Sequence, residues 1–364
     1  MKKADLKFLQ EICEAPSPSG YEWPAAEVFR QRLAKSADSI ETSVLGSVHA
    51  TLKGKSGGLS VMIAGHIDEI GLMVKYIDDN GYVYFDAIGG VDAAVLPGMR
   101  INLYATGKGS GDSGQPRLLR GVVGRKPIHL IEADERKNVT KMEKLFVDFG
   151  ISGKDAKAQI RIGDAMTYGV GFEEFGDGLA VSRSFDDKMG AWIAARVLEE
   201  VKAAGGAAGD VIAAATVQEE IGSRGAITST YALDPDVCIC AEVDHATDYP
   251  GIEKSRYGEG VCGGGPMIAR GPNINPKLFE SLVAAADAAK VAYQISPEPR
   301  GTGTDANPMQ ISRQGKVTGL VSIALRYMHT PTEVLKLSDL DDIVALLTRF
   351  ILDLSADTDW RPGV

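Results

Sequence analysis

Residues 181–222 constrain the fold of this chain more than any other stretch, because they predict a loop, a helix, a strand and a second loop in immediate succession. Apolar residues recur at helical spacing over residues 189–202, and an apolar strand follows at residues 211–217. Each flanking loop carries two adjacent carboxylates, Asp186–Asp187 before the helix and Glu219–Glu220 after the strand. Since loops at the carboxyl ends of strands in an α/β sheet gather around one crevice, we expect these acidic pairs to converge.

Converging carboxylates suit a divalent metal ion. A single acidic pair is also what a helix cap or a solvated surface provides, since acidic side chains are usually exposed. The metal interpretation therefore depends on whether other strands also end in residues of metal-ligand type.

Five residues of metal-ligand type lie just past a predicted strand or at a turn: His66, Asp186, Glu220, Asp244 and His329. A lone histidine at a strand end is more often a core or surface residue, but two histidines and three carboxylates at repeated strand ends favour a metal centre. This mixture of nitrogen and oxygen ligands suits a pair of borderline ions such as zinc or cobalt. Asp68 lies two residues after His66, so it faces the same way in extended chain and can orient the imidazole.

The composition and charge exclude several classes of partner and location. A chain of 364 residues with 44% hydrophobic content can bury a sizeable core and predicts more than one domain. Its formal charge of -10 argues against nucleic acid and against an acidic membrane surface as partners. The apolar runs are too short to span a bilayer, and the N-terminal segment lacks the continuous apolar core of a signal peptide.

Four cysteines occur in the chain. Cys238 and Cys240 alternate on one face of an apolar strand, so we predict core thiols there instead of a metal pair. A reducing compartment, the cytoplasm, fits this usage.

Helices and strands alternate in residues 1–73 and 172–364, which predicts an α/β domain with a mixed sheet flanked by helices. Residues 74–171 instead contain short β-rich runs separated by turn signals, so we predict a small β-rich domain inserted into the first one. The insert adds no expected metal ligand. Because its short strands leave edges and apolar faces that a second subunit could cover, we predict that the chain self-associates through it.

Motifs in one order along the chain resemble a known family. They lie at residues 64–71, 184–190, 218–222, 243–251 and 326–331, with two more inside the insert at residues 121–129 and 144–148. The chain resembles the dinuclear metallo-aminopeptidases of the M42 family, which includes the glutamyl and tetrahedral aminopeptidases. The resemblance covers nearly the whole chain and implies a zinc-exopeptidase-like α/β fold with the insert as a barrel-like assembly domain. Ile128 and Lys188 differ from the proline and arginine that the family often has at these positions, but neither residue is an expected ligand.

Carried over residue by residue, the resemblance implies a bridging Asp186, a first metal completed by His66 and Asp244, and a second metal completed by Glu220 and His329. Glu219 would be the general base, and Asp68 would support His66. Two divalent ions per subunit are implied, zinc first, with cobalt or manganese as alternatives. The resemblance also implies a cis peptide between Asp186 and Asp187, and dimers that build a larger hollow particle, such as a dodecamer, which admits short peptides.

The chemistry of peptide hydrolysis agrees with these roles. Two metal ions about 4 Å apart can bind hydroxide as the nucleophile and polarise the peptide carbonyl. A carboxylate that is not a ligand must then take the proton of the water and pass it to the leaving amine. Adjacent residues of extended chain point apart, so Glu219 can serve the water while Glu220 faces the metal.

Two other function classes remain open. Carboxylate pairs also carry out glycoside hydrolysis, although that mechanism gives no role to His66 and His329. A catalytically silent scaffold of the same fold is the other alternative, although all five expected ligands and Glu219 are present. The sequence does not define the preferred N-terminal residue of the substrate. It also leaves open whether Asp305 contacts substrate or forms an Asx turn. For His129 we expect an ordinary buried imidazole, with a position at a subunit contact as the alternative.

Overall fold

Helices and strands alternate at both ends of the chain, and the middle of the chain is mostly strand. A computed structural model describes residues 1–109, 116–132 and 137–363. The predicted fold class, a mixed sheet flanked by helices with an inserted barrel-like domain, is confirmed.

The strands, in chain order, are β1 (Ser39–Thr42), β2 (Val48–Leu52), β3 (Val61–His66), β4 (Gly71–Ile77), β5 (Val83–Ile88), β6 (Arg100–Ala105), β7 (Arg117–Gly124), β8 (Phe146–Asp148), β9 (Ala165–Tyr168), β10 (Glu173–Phe175), β11 (Leu179–Ser182), β12 (Val211–Thr216), β13 (Val237–His245), β14 (Met267–Arg270), β15 (Gln294–Pro297), β16 (Val317–Leu325) and β17 (Glu333–Lys336). The α-helices are α1 (Lys3–Glu14), α2 (Trp23–Leu33), α3 (Gly153–Gln159), α4 (Phe185–Ala203), α5 (Arg224–Leu233), α6 (Lys254–Tyr257), α7 (Pro276–Ala289), α8 (Ala306–Gln310) and α9 (Leu337–Asp353).

The main sheet has eight strands in the order β1-β2-β12-β3-β13-β16-β14-β15. Its four central strands, β12, β3, β13 and β16, run parallel to one another. β3 and β12 are buried along their whole length, as expected for parallel strands covered on both faces. All four central strands therefore end at the same edge of the sheet.

Helix α4 packs across β3, β12 and β13. The approach to β3 is close because two glycines meet: a Cβ atom on Gly65 would lie 2.1 Å from the carbonyl carbon of Gly190. A larger residue at either position would push the helix away from the sheet. This close contact brings the start of α4, with Asp186 and Asp187, against the end of β3.

The insert is a closed barrel with strand order β4-β5-β8-β7-β6-β9 and a hydrophobic core of its own. Its strands run from Gly71 to Tyr168, close to the predicted insert of residues 74–171. A smaller sheet, β10-β11-β17, lies in the α/β domain.

Cys238 and Cys240 are buried free thiols, which confirms their prediction as core residues. Within the described residues, no helix combines the length and the apolar character needed to cross a bilayer.

Candidate metal centre

The carboxyl ends of the central strands bring the candidate ligands together. His66 ends β3, Glu219 and Glu220 follow β12, Glu242 lies near the end of β13, and His329 follows β16. Together with Asp186 at the start of α4, these six residues line one cavity of about 730 Å³.

Asp186 lies at the centre of this cluster and is 7% exposed. Its Oδ1 lies 3.1 Å from Nε2 of His66, and its Oδ2 lies 3.2 Å from Nε2 of His329. Glu220 Oε1 is 3.3 Å from the same His329 nitrogen. One carboxylate therefore faces two different imidazoles with its two oxygens.

The buried carboxylates of the cluster create a negative environment that stabilises a positive charge among them. Hydrogen bonds to Asp186 and Glu220 raise the pKa of His329 to about 11. Burial, together with the charge of Asp187, raises the pKa of Glu242 far above its ordinary value. Among the residues that the structure describes, two groups have ligand atoms close enough to share one ion, namely His66 with Asp186 and Glu220, and His66 with Asp187 and Glu242. The donor set fits divalent metal ions, since it mixes imidazole nitrogen with carboxylate oxygen.

The structure does not bring Asp244 into this cluster. Its Oδ2 accepts a 2.6 Å hydrogen bond from Ser296 Oγ, and its Oδ1 accepts one from the His245 N–H. The carboxylate beside His66 is that of Glu242, whose Oε1 lies 3.8 Å from Nε2 of the imidazole. Glu242 was missed by the sequence analysis. A carboxylate inside an otherwise apolar strand was the available signal, since buried acidic residues are rare unless paired.

The cause of this difference is the two-residue period of β13. Residues two apart in a strand face the same side, so Glu242 and Asp244 point alike but lie about 6.6 Å apart along the strand. Glu242 is 3% exposed and reaches the cluster. Asp244 is half-buried and lies nearer the carboxyl end of β13.

Asp187 holds His66 through the backbone N–H group of His66. It is fully buried; its Oδ2 accepts from the His66 N–H at 3.0 Å and its Oδ1 from the Gly190 N–H at 3.1 Å. The peptide bond between Asp186 and Asp187 is cis, as expected.

Asp68 connects β3 to the loop that carries Glu219 and Glu220. Its Oδ1 accepts from the Glu219 N–H at 2.9 Å, and its Oδ2 accepts from the Glu220 N–H at 3.1 Å and from Ser19 Oγ at 2.7 Å. Its Oδ1 also lies 3.4 Å from Nδ1 of His66. Asp68 therefore fixes three site residues at once, which is more than the support of His66 predicted from the sequence.

Glu219 lines the cavity but belongs to neither group of ligand atoms. Its Oε1 accepts a 3.2 Å hydrogen bond from Ser223 Oγ. Burial raises the pKa of Glu219 to about 7, a value suited to a group that must gain and lose a proton near neutrality.

Glu333 is a second residue that sequence reasoning missed. It is 2% exposed, and its Oε2 accepts from the Asp186 N–H at 3.1 Å while its Oε1 accepts from the His329 N–H at 2.9 Å. One buried carboxylate thus binds the backbone N–H groups of two candidate ligands and holds them in position. No local pattern marks it, because the contact depends on β17 reaching the start of α4.

The insert also touches the cluster, through the turn after β5. Nδ1 of His329 lies 3.0 Å from the Gly90 carbonyl oxygen. A Cβ atom on Gly90 would lie 2.9 Å from that nitrogen, and one on Gly89 would lie 3.2 Å from Cβ of Glu220. The backbone of this turn therefore packs directly against two candidate ligands.

Two residues left open by the sequence can now be placed. Asp305 is 1% exposed and accepts a hydrogen bond from Thr216 Oγ1 at 2.6 Å; the neighbouring residues 302–304 line the cavity instead. His129 is exposed in the insert, so the expectation of a buried imidazole there is wrong.

Comparison with known proteins identifies the family. The profile of the M42 glutamyl aminopeptidases matches residues 46–346. This chain belongs to the M42 family. It is therefore a hydrolase, a metallo-aminopeptidase, and the resemblance found in its sequence is confirmed.

Relatives of this chain match it over nearly their full length. The lysyl aminopeptidase of Pyrococcus furiosus is 34% identical over 98% of this chain and 99% of its own. The TET aminopeptidase of a marine sediment archaeon, Thaumarchaeota archaeon SCGC AB-539-E09, superposes with a TM-score of 0.89 at 29% identity, over 97% of this chain and 98% of that one. The TET1 peptidase of Pyrococcus horikoshii, which can assemble into a tetrahedron or a large octahedral shell, superposes with a TM-score of 0.82 at 25% identity, over 96% of this chain and 100% of that one.

Proposed function

We propose that this M42 enzyme is a dinuclear aminopeptidase that removes N-terminal residues from short peptides. The observation that carries the proposal is that Asp186 offers its two oxygens to two different imidazoles. Each imidazole has a further carboxylate beside it, Glu242 beside His66 and Glu220 beside His329. We therefore assign Glu242, in place of Asp244, to the first metal and keep the other four predicted ligands.

Two divalent ions, zinc first and cobalt or manganese as alternatives, suit these ligands. Such ions polarise a peptide carbonyl and lower the pKa of a water molecule. Glu219, which belongs to neither group of ligand atoms, takes the proton of the attacking water and delivers it to the leaving amine. Asp68 holds the Glu219 backbone so that the base faces the cavity.

The test combines metal analysis with assays on two substrate classes. Purified enzyme is expected to hold two metal equivalents, to hydrolyse aminoacyl-p-nitroanilides, and to lose that activity to a chelator and regain it with added zinc. Aryl glycosides serve as the control substrates, because a carboxylate-pair glycosidase would cleave them without metal. Full activity in chelated enzyme, or cleavage of the glycosides alone, would contradict the proposal.

We also propose that the chain assembles through its barrel, first into dimers and then into a larger particle. The barrel surface exposes the apolar side chains of Leu118, Val122, Ile128, Leu130 and Val139. We take these side chains as the candidate contact, because exposed apolar surface that forms a patch marks interaction sites. An enclosed particle would admit short peptides and exclude folded proteins. The buried free thiols fit a cytoplasmic location.

The double variant Ile128→Asp/Leu130→Asp is expected to shift the enzyme to a smaller species, since both side chains are more than half exposed on one subunit and a charge buried in a contact is unfavourable. Light scattering after size-exclusion chromatography measures the particle mass. Val44→Asp, on a fully exposed residue of the α/β domain, is the control and should leave the mass unchanged. An unchanged mass for the double variant would remove this surface from the assembly.

A further inference from the structure

Asp305 carries a buried carboxylate that is only half hydrogen-bonded. The residue is 1% exposed, and its Oδ2 accepts from Thr216 Oγ1 at 2.6 Å. Its Oδ1 is buried too, and it has no hydrogen-bond partner among the residues that the structure describes. The carboxylate makes no capping bond to α8, the helix that it precedes. Because an unpaired buried acceptor is unfavourable, it is typical of a group that gains a partner during function.

Asp305 contacts both ends of the loop that carries the candidate general base. Thr216 ends β12 directly before this base loop, residues 217–222, and Ser223 follows the loop at the start of α5. Thr216 bonds the carboxylate directly, and the Ser223 hydroxyl interacts with it as well. Burial raises the pKa of Asp305 to about 6, while the charge of His66 and these two hydroxyls oppose the rise.

Ser223 connects Asp305 to Glu219. Its Oγ donates to Glu219 Oε1 at 3.2 Å, and within the described residues the Glu219 carboxylate makes no other hydrogen bond. The Ser223 N–H also donates to the Glu219 carbonyl oxygen at 2.9 Å. A hydroxyl has one proton to donate, and here two carboxylates compete for it. The position of the Glu219 carboxylate therefore depends on the direction in which this hydroxyl points.

The backbone of the base loop is held without Asp305. Two other buried carboxylates, those of Asp68 and Glu22, accept from the N–H groups of residues 218–220 at 2.9 to 3.2 Å. Three successive amides are thus already bound. What Asp305 can still control is the side chain of Glu219, which it reaches through a hydroxyl.

We propose that Asp305 is a positioning residue that acts on Glu219 through the Ser223 hydroxyl. While Glu219 is ionised, the hydroxyl donates to it and holds the carboxylate toward the attacking water. Once Glu219 has taken the proton of the water, the hydroxyl turns to Asp305, and the protonated carboxyl is free to swing to the leaving amine. Ser223 keeps its own proton throughout. This inference rests on the proposed role of Glu219 as the general base.

A double-mutant cycle on kcat tests this coupling. Asp305→Asn keeps the shape of the side chain and an acceptor for Thr216, but it replaces the second oxygen with a donor. This variant and Ser223→Ala are each expected to lower kcat on an aminoacyl-p-nitroanilide by about 10-fold, with KM and metal content unchanged. Because the two residues act through one hydroxyl, the double variant should also lose about 10-fold, whereas independent losses would multiply to about 100-fold.

Two further variants exclude effects of the fold alone. Ser223→Gly removes the same hydroxyl and suits the φ of 50° at this position, so it should match Ser223→Ala in kcat. Thr228→Ala is the control, since it removes a hydroxyl from the same helix that donates to the Arg224 carbonyl oxygen, and it should keep wild-type kcat. If Asp305→Asn does not fold, Thr216→Val replaces it in the cycle, because it removes the bond to Asp305 from the other side.

Three results would overturn the inference. Losses that multiply in the double variant would show that Asp305 acts independently of Ser223. Wild-type kcat in Asp305→Asn would remove it from the mechanism, and a raised KM with unchanged kcat would make it a substrate contact.

Glu219→Gln separates the failure of this inference from the failure of the proposed function. Normal turnover in Glu219→Gln would refute the general base, and the inference with it. If Glu219→Gln is inactive while the losses in Asp305→Asn and Ser223→Ala multiply, the base stands and the inference alone fails. Both are supported if Asp305→Asn causes no further loss when it is added to Glu219→Gln.

Discussion

Replacing Glu219 with glutamine is expected to lower kcat on aminoacyl-p-nitroanilides by about 10²-fold or more while both metal equivalents stay bound. Glutamine keeps the shape of the side chain and the contact with Ser223, but it cannot accept and return a proton. Steady-state kinetics and total metal analysis on the same preparation measure the two quantities. This combination distinguishes a base from a ligand, because losing a ligand would reduce the metal content as well.

Glu174→Gln is a suitable control, since this carboxylate is exposed on β10 and lies outside the cavity. It should match the wild type in both measurements. A Glu219→Gln enzyme that keeps normal turnover would exclude Glu219 from the mechanism, and one that loses metal would make it a ligand.

The second large effect is expected from the pair Glu242 and Asp244. Glu242→Gln should weaken metal binding by at least about 10²-fold and so release one equivalent, because it removes a buried charge beside His66. Asp244→Asn should retain both equivalents, since its carboxylate is bound to Ser296. Metal titration followed by calorimetry measures the affinity in each variant.

Asp186→Asn is the reference for complete loss of metal, because its carboxylate is proposed to serve both ions. It should lose both equivalents. If Asp244→Asn loses metal while Glu242→Gln keeps it, the ligand set drawn from the sequence resemblance is correct and the one assigned from geometry is not.

The sequence predicted the parts of this fold that depend on periodicity. The helix expected at residues 189–202 is α4, and the strand expected at residues 211–217 is β12. Both predictions succeeded because each element buries a continuous apolar surface, which leaves a clear pattern along the chain. The histidines at strand ends were informative for a related reason, since parallel strands bring their ends to one edge.

The sequence failed where a choice depended on distance along one strand or on tertiary contact. Glu242 and Asp244 share a face, so alternation could not decide which of them reaches His66. Glu333 sets the backbone of Asp186 and His329 from a different strand, and no spacing rule connects it to them. Asp68 was expected beside His66, but its bonds to the Glu219 and Glu220 amides required the fold to be known.

The contact between Gly90 and His329 has a consequence for how this protein can change over generations. A domain joined only by its two connecting strands could be exchanged or lost in recombination without harm to its host. Here the turn at Gly89 and Gly90 packs against His329 and Glu220. A replacement barrel would therefore have to reproduce the backbone of that turn to preserve the cluster. The barrel and the α/β domain are therefore expected to be inherited together. Under the proposed assembly, a monomeric enzyme would be obtained by altering the outer barrel surface while the domain itself stays in place.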